Sequence, residues 1–287
     1  MPILAALLMI FGQVDLPLAP QSQFAATGSI VTVDLGAHAT TTESVAAIDA
    51  ILSWNPAELQ FMGAVPGDYA WFVAGFLPDP DGINLSTTDG SALYTALAPV
   101  ATPLILPPDI VVAGFQFKIL SGGAGGVNVG LLRSMGTFGK TRVISSTPGV
   151  EVTGDISGTA CVGVPGTWTD MGGGISGVAG VPLLTGTGPM ACEALTTYTL
   201  INAKPNQLAY FPVGISNLGL PLKGGVLVPS LDLILFFVTS PTGDISFGAN
   251  WPLGLPSGFT IYYQYWLKDN TAIKGWAASN GLRSVTG

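Results

Sequence analysis

Charged side chains are scarce in this sequence: Asp, Glu, Lys and Arg together make up 9% of its 287 residues, against about a quarter in ordinary soluble domains. Helix surfaces are usually solvated by Lys, Glu and Arg, so an architecture of long exposed helices is excluded. The nine basic residues form no cluster and are outnumbered by 17 acidic ones, for a net charge of −8. A polyanion would be repelled, which argues against a nucleic-acid partner. No uninterrupted apolar run approaches the roughly 20 residues of a membrane helix. The strongest internal candidate, Gly225 to Val238, contains Pro229 and Asp232, so no integral membrane span is expected.

Catalytic residue types are equally sparse. His38 is the only histidine and sits among Gly36, Ala37 and Thr40 with no motif around it; a hydrolytic triad or zinc site would have to include it or dispense with histidine. The glutamates Glu43, Glu58, Glu151 and Glu193 are isolated and frame no carboxylate pair for glycoside hydrolysis. An enzyme is not expected. The two cysteines, Cys161 and Cys192, read either as a disulfide of an oxidising, extracellular compartment or as two buried thiols.

What is abundant is Gly, at 39 residues, and Pro, at 22, the residues of turns between short strands. The length suggests two domains. Period-two alternation marks strands at Ile30–Leu35, Ala47–Trp54 and Val111–Leu120, and again at Val127, Val129 and Leu131. Later strands read at Leu195–Ala203, Leu208–Ile215, Leu233–Thr239 and Phe259–Leu267. In the last, Phe259, Ile261, Tyr263 and Tyr265 share one face and Tyr262, Gln264 and Trp266 the other. The best helical stretch is Ser91–Leu97, with Asp89 as its cap. The glycine-crowded segment Gly163–Gly188 reads as an ordered boundary, because Trp168, Ile175 and Leu184 lie within it. The expected fold is all-β: two consecutive jelly-roll-like β-sandwich domains over residues 26–162 and 163–287, with very little helix. Residues 1–20, led by the apolar run Met1–Phe11, read as an export signal or an N-terminal arm.

The stretch ILSWNPAELQFMGAVPG, Ile51–Gly67, resembles the signature of cohesin domains: a strand, an aromatic-Asn-Pro turn, then a further apolar strand. FQFKIL, Phe115–Leu120, is similar to a later cohesin strand. This resemblance covers about residues 26–160 and implies a nine-stranded sandwich with protein-binding ancestry. The long segment Trp71–Pro108 departs from the family, and no dockerin-binding face can be assigned, so dockerin recognition is not carried over. GTWTDMGGGISG, LPLKGGVLVP, WPLGLPSGF and IYYQYWLKDNTAIKGWAASNGL resemble, in order, a C-terminal β domain of secreted environmental bacterial proteins of the planctomycete type. That resemblance implies a compartment and little mechanism.

Within DPDGINLSTTDG, the oxygen ligands Asp79, Asp81, Asn84 and Asp89 can be read as a calcium loop or as ordinary turn chemistry. Trp71, Trp266 and Trp276 are the candidate binding aromatics, able to stack on a polysaccharide or anchor a protein. The expected function is therefore a secreted, non-catalytic protein-binding or structural module. It would act at the cell surface or in an extracellular filament, with a protein partner or copies of itself. The alternative is a carbohydrate-binding module.

Overall fold

The computed structural model describes residues 13–121, 126–252 and 254–287. The apolar run Met1–Phe11 lies outside the described residues. The fold is all-β, with two short 3-10 turns at Ile83–Leu85 and Ile273–Gly275 as the described helical segments. It divides into two compact units, one ending at Val162 and the other running from Gly163 to Gly287.

The first unit is a sandwich of two antiparallel sheets. One runs in the order Val14–Asp15, Ile30–Ala39, Ile110–Ile119, Leu59–Pro66, with Leu18–Ala19 also paired to Ile30–Ala39. Val14, Leu16 and Leu18 are buried, and Val14–Asp15 and Leu18–Ala19 both pair with Ile30–Ala39. The second sheet is built on Glu43–Ser53, which pairs with Ser91–Leu97, Val127–Leu132, Arg142–Ser145 and Leu104–Leu106. The alternation expected for these strands is what buries them: Val31, Val33 and Leu35 on one sheet and Ile48, Ala50 and Leu52 on the other are all buried. Trp54 meets Phe61 and Phe117 at ring-centroid distances of 5.4 and 5.3 Å, and Tyr94 meets Phe115 at 5.2 Å.

Ser91–Leu97 is a strand, not the helix its spacing suggested. Ala92, Tyr94 and Ala96 are buried with period two, and both edges are paired, to Glu43–Ser53 and Val73–Gly75. Two ladders outweigh a weak local propensity. With no helix to cap, Asp89 instead forms an Asx turn before the strand, its carboxylate accepting the Ser91 N–H at 3.2 Å.

In the second unit, a seven-stranded sheet packs on a three-stranded one formed by Leu183–Thr187, Leu195–Ile201 and Ile245–Asn250. Leu184, Tyr198 and Leu200 from the smaller sheet meet Phe211, Tyr263 and Tyr265 from the larger. Phe211 stacks on Tyr265 at 4.3 Å. Gly186 is dictated by close approach, since a Cβ there would stand 2.4 Å from the Trp168 ring.

The expected strand Phe259–Leu267 is split into Thr260–Tyr263 and Trp266–Lys268. Its facing is nevertheless as expected, with Tyr263 and Tyr265 in the inter-sheet core and Trp266 in a second cluster with Ile175, Leu227 and Ala278. Buried Gln264 marks the break. Its Oε1 accepts from the Val228 N–H and the Trp266 indole N–H, and its Nε2 donates to the carbonyls of Val226 and Ser279, all at 3.0 Å. These bonds fasten the hairpin Asn217–Leu222/Gly225–Pro229 over the far face of the sheet.

Candidate functional site

The aspartate-rich loop uses its carboxylates internally. Asp79 accepts the N–H groups of Asp81, Ile83 and Asn84 at 2.9–3.0 Å. Asp81 accepts those of Thr137, Phe138 and Gly139. Asn84 bonds the carbonyls of Leu77 and Leu93 and the Leu93 N–H. Donation from the Thr137 amide, and then from Phe138 and Gly139, holds the Asp81 carboxyl below its ordinary value. Burial is the largest influence on Asp79 and raises it, but the amides of Asn84, Ile83, Asp81 and Gly82 together bring the carboxyl below the usual range. Among the described residues no group of three His, Cys, Asp or Glu side chains is placed to hold a metal ion.

His38 meets Asp109, 71 residues away, at 2.7 Å in an exposed pair. A hollow of about 370 Å³ in the first unit, whose lining includes neither His38 nor Asp109, is lined partly by the charges of Asp49, Asp79, Lys140 and Arg142. There Arg142 binds Asp49 at 2.9 Å and Thr95 donates to the same carboxylate. Cys161 and Cys192 are joined in a disulfide.

The three tryptophans separate. Trp71 lies in the first unit, half-buried, its indole N–H donating to the Val112 carbonyl at 3.2 Å. Trp266 and Trp276 belong to the second unit and do come together, around hollows under the Asn217–Pro229 hairpin. Trp266 is 4% exposed, so it is the floor of a hollow and cannot serve as a surface ring. Trp276 is half-buried at the rim, 5.8 Å from the Tyr210 ring.

Sequence reading found the strand beside that hollow, Leu233–Thr239, but missed that it is an exposed edge. Leu233–Val238, LILFFV, pairs with Leu208–Gly214 and with no other strand among the described residues. Its run of apolar residues resembles a fully buried strand, yet Leu233 is 51%, Phe236 62% and Val238 67% exposed. Ile234 continues into a wholly apolar hollow of about 130 Å³ lined with Tyr210, Pro212, Leu222, Leu227, Leu231 and Trp266. Phe236 meets the Tyr210 ring at 5.5 Å. Asp232, the charge nearest the strand, is occupied by Ser230 Oγ at 2.7 Å and the Ile215 N–H at 2.8 Å. An apolar patch and a row of unpaired main-chain groups therefore coincide on one edge.

Solved cohesin modules are similar to about half of this chain. No protein-family model and no curated protein matches it. The sixth cohesin of scaffoldin B from Acetivibrio cellulolyticus, solved with a Cel5 dockerin, is 14% identical with a TM-score of 0.41, over 53% of this chain and 98% of that one. The seventh ScaB type I cohesin of Pseudobacteroides cellulosolvens is 10% identical, TM-score 0.39, over 53% and 93%. A type III cohesin from the cell-surface anchoring scaffoldin ScaE of Ruminococcus flavefaciens is 14% identical, TM-score 0.39, over 53% and 87%. No described helix is long and apolar enough to cross a membrane.

Proposed function

We propose that this chain is a secreted, non-catalytic protein-interaction module that associates with further copies of itself through the Leu233–Val238 edge. The observation that carries the reading is an edge strand that is apolar, exposed and paired on one side. Natural proteins blunt such edges with Lys, Pro or a bulge, because open ladder groups recruit another strand. None of those devices occurs within LILFFV.

A second copy is the partner that fits. Antiparallel pairing of the strand with itself about a two-fold axis satisfies both rows of main-chain groups at once. The low surface charge lessens repulsion between copies. Secretion is supported by the Cys161–Cys192 disulfide, a bond that persists in oxidising compartments.

The test is the solution mass of the full chain by light scattering. The protein is expected to associate at micromolar concentration, and Phe236→Lys with Val238→Lys to return it to a monomer with an unchanged β-sheet circular dichroism spectrum. A wild-type chain that stays monomeric at about 100 μM, weaker than any specific interface of useful affinity, would refute the reading.

A further inference from the structure

The first unit carries a separate cleft of about 410 Å³, within the size range of small-ligand sites. It opens where Leu59–Pro66, the last strand of one sheet, comes beside Val73–Gly75, the last strand of the other. Its walls are Pro66, Tyr69 and Trp71 with alanines and glycines, over a floor of Phe76 and Tyr94. The floor is rigid, since Phe76 packs on Tyr94 at 5.4 Å and on Phe61 at 5.2 Å. Two glycines keep the mouth open: Gly63 (φ 134°) and Gly75 (φ 154°) have backbones that side chains disfavour, and a Cβ on either would project into empty space.

We propose that this cleft binds a neutral oligosaccharide segment. None of the lining side chains is charged, which leaves no counter-charge for phosphates, metal ions, or acidic or basic peptides. Tyr69 and Trp71 stand 4.7 Å apart at 68°, forming two walls of a corner. Their polar handles are turned away, the phenol O–H to the Thr102 carbonyl and the indole N–H to the Val112 carbonyl. The rings therefore offer π-faces and no donors.

A pyranose fits this offer. Its C–H face stacks on an aromatic face, while its hydroxyls meet the main-chain N–H and C=O groups that each terminal strand turns away from its ladder partner. A polyproline peptide finds the Tyr69 and Trp71 donors already engaged by main-chain carbonyls. A strand-adding peptide would have a three-residue edge, Val73–Gly75, to extend.

The experiment titrates the full chain with cellohexaose, xylohexaose and chitohexaose by calorimetry. Saturable binding to at least one is expected, weakened about tenfold or more, or at least 1.4 kcal/mol, by Trp71→Ala. Ala74→Arg fills the mouth from an exposed position and is expected to abolish binding with an unchanged melting temperature, so a folding defect in Trp71→Ala does not decide the matter. Absence of binding to all three sugars at millimolar concentration, binding indifferent to Ala74→Arg, or binding of a proline-rich decapeptide instead would each overturn the proposal.

Discussion

Gln264 shows how one amide can replace a stretch of ladder. Its side chain makes four hydrogen bonds in a position with no solvent access, each group being costly to leave unpaired there. Gln264→Ala is expected to destabilise the protein by on the order of 3 kcal/mol and to free the Asn217–Pro229 hairpin. Faster exchange of the Val228 amide, whose acceptor is the Gln264 Oε1, would report that release, and unchanged exchange would count against it. Sequence alternation did place Gln264 and Trp266 opposite Tyr263 and Tyr265. That this second face is also buried could not be read locally, because the cover comes from residues some 40 positions earlier.

At the scale of elements, two loops distant in sequence are tied by one carboxylate. Asp81 accepts the amides of Thr137, Phe138 and Gly139 and is held below the ordinary aspartate range. A depressed value means that the folded state favours the ionised form. Its stabilisation is thus complete above about pH 4, the unfolded value, and is lost as pH falls through the lower folded value. The Phe138 and Gly139 amide resonances are expected to titrate with a midpoint below 4, and Asp81→Asn to remove that titration. A midpoint above 4 would reverse the assigned sign.

Strand and helix confusion arose at the same scale. Ser91–Leu97 mixes the strand formers Tyr94 and Thr95 with the helix formers Ala92, Leu93, Ala96 and Leu97, and its state was settled by neighbours on both edges. Leu233–Val238 was legible as a strand but not as an edge: an apolar run reads as buried on both faces, and exposure depends on which strands arrive beside it.

For the whole molecule, the disulfide and the loop oxygens make different claims. Reducing the Cys161–Cys192 bond, or replacing both by Ser, is expected to lower stability by about 3–4 kcal/mol, from the unfolded chain regaining the freedom of that loop. A melting temperature indifferent to reductant would contradict this. Calcium at millimolar concentration, or its chelation, is expected to leave the melting temperature unchanged, since both carboxylate oxygens of Asp79 and of Asp81 already accept main-chain N–H groups. A calcium-dependent rise of several degrees would mean the ion displaces those amides.

By itself, the sequence determined the all-β class, the inward residues of most long strands and the scarcity of surface charge. Each of these follows from residue type and a period of two, which are local properties. Tertiary structure alone decided which strand ended up at an edge, which tryptophan became a floor, and which loop amides would consume the aspartates. Those outcomes depend on partners tens of residues away, and no local pattern of side chains encodes which partner arrives.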